Sequence, residues 1–270
     1  VLVVGGGSVI DAVGYAAATA HRGIRLIRMP TTVLGQNDAG IGVKNAVNFL
    51  GRKNYLGTFV PPFAVINDFE FLRTLPARDQ RAGMAEAVKV SLIKDAVFFN
   101  WLHDNRQALA AFDDGAVEYM IRRCAELHLH HIASSGDPFE CGSSRPLDFG
   151  HWSAHRLEEI SHSQHSQEQA LRHGEAVAIG ITLDSVYSHT LNLIDDTLLE
   201  KIIITLKAIG FTLYHPAFEQ LNIPKALQDF REHLGGELCI TLLTGEGVAA
   251  QFNHIDEDVM RSCVKKLVSL

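Results

Sequence analysis

The chain reads as an α/β domain followed by a mainly helical one, and three observations predict it. From Val1 to about Phe71, short β-branched runs alternate with a helical pattern, the signature of a parallel sheet with crossover helices. From Leu72 onward apolar residues recur at intervals of three and four, as they do on amphipathic helices. Pro61, Pro62 and Pro76 punctuate the passage between these two regimes. The 270 residues suffice for two domains of ordinary size, expected here as 1–71 and 72–270.

VLVV is an apolar strand running into Gly5, Gly6 and Gly7, after which DAVGYAAATAHRG continues as a helix. IRLIRMPTT supplies a second strand and PFAVIND a third. Between them, Pro30 to Asn54 holds two threonines, Asp38, Lys44, Lys53 and four glycines, and is expected to form neither a regular helix nor a strand. Val1 already lies within a strand, so the sheet is expected to be an incomplete Rossmann-like one that lacks its upstream strands. In the second part ARDQRAGMAEAVKVSLIKDAVFFNWLHDN, GAVEYMIRRCAELHLHHIA, HGEAVAIGITLDSVYSHTL and TLLEKIIITLKAIGF read as helices, and ELCITLL as a late strand or hairpin.

Composition narrows the class. With 47% hydrophobic and 20% charged residues the chain can bury a substantial core. A net charge of -7 argues against nucleic-acid or anionic-membrane partners, which need a positive footprint. Cys124, Cys141, Cys239 and Cys263 lie far apart with no CxxC pair, so free thiols in a reducing cytoplasm are expected. No run reaches the roughly 18 apolar residues of a membrane span.

Three short runs concentrate groups able to hold a divalent metal: GMAEAVK around Glu86, DFGHWSAH around His151 and RHGEAVAIG around His173. One carboxylate with two imidazoles is a set typical of catalytic zinc, which keeps a coordination position open for water or substrate. Glu86 and Lys89 share a helical face. Such a pair is ordinarily a surface contact worth little. Here Met84, Ala85, Ala87, Val88 and Val90 surround it with apolar residues, and a metal plus an anion would account for burying it. His151 and His155, four apart, can both be ligands, or one can be a ligand and the other an acid–base group. An HxxxH pair also arises by chance among 14 histidines, and His128, His130, His131, His162 and His165 read as solvated or capping. His173 opens an apolar helix, a position that suits a ligand.

At the other end of the chain, Gly6, Gly7 and Ser8 open a helix whose free N–H groups and positive dipole end suit a pyrophosphate. The same turn would also serve as a plain connection with Ser8 as the helix cap. Lys44 and Lys53 could wrap phosphates from the glycine-rich loop, or that loop could simply be solvated.

Together these runs resemble the 3-dehydroquinate synthase family and its wider group of sugar-phosphate cyclases. GGG with Asp11, MPTT, the loop with Asp38, Lys44, Lys53 and Asn54, FLRTLPAR, GMAEAVK, FGHxxxH and HGEAVAIG span nearly the whole chain. The resemblance implies an NAD-binding domain followed by a helical metal-binding domain, with zinc or cobalt on Glu86, His151 and His173. It implies that Gly6, Gly7, Ser8, Asp11, Thr31, Thr32, Lys44, Lys53 and the turn from Phe71 to Thr74 line the NAD. It places Lys89, His155, Lys44 and Asn54 toward a sugar phosphate, with Asp38, Arg145 and Asp148 in the same pocket, and it implies a homodimer. The implied reaction oxidises a substrate hydroxyl, eliminates phosphate, reduces the ketone back and closes a carbocycle by an aldol step, without net consumption of NAD.

The chain departs from the family pattern where the substrate would lie. The family's substrate-binding lysine aligns with His128, its arginine is displaced by one position if Arg145 is the counterpart, and its asparagine before FGH is Asp148. The stretch SGDPFECGSSRPLDFGH is longer than usual, and a late lysine pair gives way to FREHLGG, leaving Arg231 and His233 as the nearest basic groups. Losing one charged hydrogen bond weakens binding roughly tenfold to a hundredfold. A cyclase reaction on a sugar 7-phosphate is therefore expected, either a heptulosonate or a heptulose that lacks the carboxylate. Ile10 also replaces a glycine of the family turn and could tighten the approach to phosphate. Two other readings remain: an iron-dependent alcohol or glycerol dehydrogenase, which shares a GGGSxxD turn, and a non-catalytic homologue acting as a binding protein.

Overall fold

The computed structural model describes residues 1–50, 52–134, 139, 145–164, 166 and 169–270; for Arg52, Lys53 and His233 it describes the backbone alone. Cys141, His165 and most of the long stretch before Arg145 lie outside the described residues, as does the Lys53 side chain.

The chain begins β1 (Leu2–Gly5), α1 (Gly7–Thr19), β2 (Ile27–Pro30), β3 (Lys44–Phe49), β4 (Arg52–Phe59) and β5 (Ala64–Val65). Helices follow as α2 (Ala77–Ala82), α3 (Met84–Lys94), α4 (Ala96–Asp104), α5 (Arg106–Ala110), α6 (Asp114–Ser134), α7 (His151–Gln164), α8 (His173–Thr190), α9 (Asp196–Ile209) and α10 (Ile223–His233). The hairpin β6 (Ile240–Gly245) and β7 (Val248–Phe252) and a final α11 (Glu257–Leu267) complete it. Two compact units result: Val1–Glu86 with Val117–Phe139, and Ala87–Ala116 with Glu140–Leu270.

In the first unit β1, β2 and β5 form a parallel sheet in that order, with Val3 opposite Arg28 and Ile27 opposite Ala64. Parallel neighbours need a crossover, which α1 provides. Ile10 and Ala17 of α1 pack with Val3 and Leu26 beneath the sheet. Gly14 lets the same helix approach β3, since a Cβ there would fall 1.9 Å from Asn45 Oδ1.

The segment expected to be irregular is largely ordered. After a π-helical turn over Gly35–Ala39, β3 and β4 pair antiparallel, with Lys44 opposite Phe59. Its glycines and asparagines obscured a strand pattern that tertiary contacts stabilise: Asn45 is buried, donating to the carbonyls of Val43 and Val60 and accepting from Arg28.

The long run from Ala77 to Asn105, expected as helix, is cut by two local events. Gly83 precedes α3 where a Cβ would lie 2.4 Å from the Leu34 nitrogen, and Asp95 caps α4 by accepting from the Phe98 N–H. Helix α8 is buried along nearly all its length, from Ala176 to Ser188. Fully burying each of Val177, Ile181 and Leu183 contributes about 1.5–3 kcal/mol. ELCITLL does form a strand, β6, in a hairpin with Ile240 opposite Phe252. Among the described residues no helix is long and apolar enough to cross a membrane, and Cys124, Cys239 and Cys263 are free thiols.

Candidate active site

The first turn of α3 carries Glu86 and, three residues on, Lys89; both are buried. His151 starts α7 directly after Gly150, whose φ of +78° turns the chain into the helix as glycine readily does. His173 starts α8 behind a capping interaction in which Glu175 accepts the Arg172 N–H at 2.8 Å. One ligand atom from each of Glu86, His151 and His173 lies within 4.8 Å of the others.

The two imidazoles are held as ligands need to be. His151 Nδ1 meets the Phe149 carbonyl at 3.1 Å, and His173 Nδ1 meets Glu158 Oε2 at 3.0 Å. With Nδ1–H donating to oxygen in each, both Nε2 lone pairs are left for a metal, the arrangement that orients metal-bound histidines. Burial, reinforced by the charge of Lys89 and partly offset by Asp148, pushes His151 down to about 3, so it is neutral across the physiological range. A buried carboxylate with two imidazoles fits a divalent cation of the zinc type. The His155 ring stands 5.3 Å from that of His151 and stacks on His173 at 5.9 Å, beside the ligands.

The first unit holds the nucleotide candidates. Gly6 is the extended N-cap of α1 and no side chain caps that end; Ser8 is exposed within the helix rather than at its cap. The first N–H groups of α1 are thus available to an anion. Gly6 lies so close to Thr32 that a Cβ would approach its Cγ2 to 3.1 Å. Thr31 donates its N–H to the Gly5 carbonyl, and Thr32 Oγ1 accepts from Gly35. Burial raises the Asp11 carboxyl to about 6, against the pull of Arg28; Asp38 and Lys44 act on it more weakly and in opposite senses. Asp11, Arg28, Asp38 and Lys44 therefore share one electrostatic neighbourhood.

Phe71 and Thr74 sit in a 3-10 turn, Phe69–Thr74, with Thr74 Oγ1 donating to the Phe71 carbonyl. Gln36 ties the start of this turn to β2 by donating to the carbonyls of Asp68 and Pro30. Lys53 lies in β4, and Asn54 is exposed on that strand at φ +52° with its N–H bonded to Asn48. Asp148 ends a 3-10 turn, Pro146–Asp148, preceded by Arg145, whose carbonyl accepts from Thr241. His128, on α6, sets its Nδ1 2.9 Å from Asp38 Oδ1.

Arg28 escaped the sequence reading. It is fully buried and donates to the carbonyls of Gly40 at 3.0 Å and Gly42 at 2.6 Å and to Asn45 Oδ1 at 2.6 Å, organising the loop between Asp38 and Lys44. A signal existed: the period of two in β2 puts Arg28 on the same face as Leu26 and Pro30, an arginine on an apolar face.

Residues 1–82 match the profile of the 3-dehydroquinate synthase N-terminal domain, and residues 83–232 match that of the C-terminal domain. The chain belongs to the 3-dehydroquinate synthase family. A 3-dehydroquinate synthase of Shewanella sp. (strain MR-4) is 36% identical over 267 residues, which is 97% of this chain and 72% of the relative. The 2-epi-5-epi-valiolone synthase ValA from Streptomyces hygroscopicus subsp. jinggangensis 5008, solved with NAD+ and Zn2+ bound, superposes with a TM-score of 0.90 at 32% identity, covering 99% of this chain and 73% of ValA. A 2-deoxy-scyllo-inosose synthase solved with carbaglucose-6-phosphate, NAD+ and Co2+ gives 0.79 at 25% identity, over 98% of this chain and 73% of that one. A probable glycerol dehydrogenase from Sinorhizobium meliloti 1021, at 18% identity and a TM-score of 0.64 over 99% of this chain and 76% of its own, shares the fold.

Proposed function

We propose that this member of the family is an NAD- and metal-dependent sugar-phosphate cyclase, a lyase acting on a heptulose 7-phosphate that lacks a carboxylate. The observation that carries the reaction class is the set of buried Glu86, buried His151 and half-buried His173, with both histidines oriented through Nδ1. When bound, the metal would act as a Lewis acid on a substrate oxygen and the nicotinamide would take up a hydride and later return it, so that NAD is not consumed.

The remaining work falls to the chain's own groups. The uncapped start of α1, with Asp11, Thr31, Thr32 and the turn from Phe71 to Thr74, binds the dinucleotide, and Lys53 and Lys44 meet its phosphates. Lys89 supplies a buried positive charge for the substrate, and His155 moves a proton through a ring nitrogen. Asn54, Arg145 and Asp148 complete the substrate contacts. Phosphate leaves as its ester C–O bond breaks and the neighbouring carbon gives up a proton; a new C–C bond then closes the ring.

The substrate choice rests on His128 and Asp38. Where the family pattern has a lysine, this chain has an imidazole already engaged by a carboxylate at 2.9 Å, which makes a second carboxylate from substrate less welcome. The test is phosphate release with catalytic NAD and added zinc or cobalt, comparing sedoheptulose 7-phosphate with a heptulosonate 7-phosphate. Release from the neutral sugar, abolished in Glu86→Gln, is the expected result. Release from the acid alone would overturn the substrate choice, and stoichiometric NADH without phosphate would indicate a dehydrogenase.

A further inference from the structure

We propose that Asp184, in the middle of α8, is a positioning residue that sets the place of His151 in the metal site by holding the backbone and side chain on either side of it. Its Oδ2 accepts the Gly150 N–H at 3.0 Å and its Oδ1 accepts the Trp152 indole N–H at 2.8 Å, so the carboxylate grips both neighbours of His151. The inference rests on the reading that Glu86, His151 and His173 hold a metal.

Helical spacing explains why this residue can act on that ligand. His173, Val177, Gly180 and Asp184 fall at intervals of four, three and four, along one face of α8. At Gly180 the backbones of α8 and of the turn before α7 touch: a Cβ there would lie 2.0 Å from the Gly150 carbonyl oxygen. A Cβ on Gly150 would likewise lie 2.7 Å from the Ile181 nitrogen. One helix face thus carries a ligand at its start, a close approach two turns on, and the carboxylate grip one turn further. The distance between His173 and His151 is set by this contact, and Asp184 locks its register. In the opposite direction, Glu158 of α7 reaches back to His173 Nδ1, so each helix orients the other's ligand through a carboxylate.

Asp184 is expensive to keep. It is wholly buried, and burial pushes its carboxyl up to about 7 even though both hydrogen bonds oppose the rise. Leucine or alanine would fill a helix interior at lower cost, and neither could hold Gly150 and Trp152. An asparagine cannot replace it either: whichever way its amide is turned, one N–H2 faces a donor.

The experiment is titration of Co2+ into the metal-free protein, followed by visible absorption, for wild type, Glu86→Gln, Asp184→Asn and Trp152→Phe. Thermal unfolding of each metal-free form is measured alongside. Outer residues that orient ligands typically alter metal affinity by about 10- to 100-fold. Asp184→Asn is expected to weaken cobalt binding by that factor and to change the absorption band. Trp152→Phe, which removes one of the two donors, is expected to weaken it by about tenfold. If Asp184→Asn lowers the unfolding temperature while affinity and spectrum stay as in wild type, Asp184 is merely structural and the proposal is overturned. If Asp184→Asn does not fold, unchanged cobalt binding in Trp152→Phe overturns it instead. A wild type that binds no cobalt, or binds it equally well in Glu86→Gln, would refute the metal reading itself, an outcome distinct from either.

Discussion

Replacing Arg28 by methionine tests whether the loop between Asp38 and Lys44 depends on one buried cation. The guanidinium makes three good hydrogen bonds, to Gly40, Gly42 and Asn45, at 3.0, 2.6 and 2.6 Å. Each bond to a charged donor is worth about 1.5–3 kcal/mol. The desolvation of the cation offsets much of the sum, and burial pulls the Arg28 pKa down from its ordinary value with Asp11 opposing. What remains is the cost of leaving buried neutral acceptors without a donor, about 1–3 kcal/mol for each group so stranded. For a protein of this size that corresponds to a fall on the order of 10 °C in Tm. Thermal unfolding by circular dichroism reads the stability, and fluorescence titration with NAD reads the loop. Weaker NAD binding should accompany the loss, because Lys44 starts β3 between Gly42 and Asn45, both of which Arg28 holds. A Tm within about 2 °C of wild type with unchanged NAD affinity would refute the reasoning.

Three further outcomes are expected. Gly180→Ala must open the contact with Gly150 by at least about 1 Å, and overpacking of this kind costs about 1–3 kcal/mol or more; differential scanning calorimetry should show a lower Tm, and cobalt affinity should fall with it. Asp11 has a folded pKa of about 6 against an ordinary 3.8, so the folded state binds more protons between those values. Stability should therefore fall as pH rises from about 4 to about 6 and level above; Asp11→Asn should flatten that slope in urea titrations, and an unaltered slope would assign it to other groups. His128→Lys puts an ammonium beside Asp38 and should improve kcat/KM for a heptulosonate 7-phosphate relative to the neutral heptulose by roughly tenfold to a hundredfold. No change in that ratio would exclude His128 from substrate choice.

Much of the molecule is legible in local patterns. The strand–glycine–helix start, the helical periods after Leu72 and the candidate ligand set Glu86, His151 and His173 are all written at short range, because period and residue type reveal elements and donor chemistry. The family motifs likewise lie in contiguous runs. What escaped lies at long range. Whether β3 and β4 pair is decided by Asn45 reaching Arg28, seventeen positions away, which no window of local propensity contains.

The sequence by itself determined the α/β-then-helical order, the presence of a candidate metal-ligand set and of a glycine turn ahead of the first helix, and the replacement of a lysine by His128. Only the tertiary structure decided that Arg28 organises the loop, that His128 is engaged by Asp38, and that Asp184 flanks His151 from another helix. Those contacts join residues separated by 12 to 90 positions. The physical reason is that burial and hydrogen-bond partners depend on which elements pack together, and a one-dimensional pattern carries an element's faces but not the neighbours they meet.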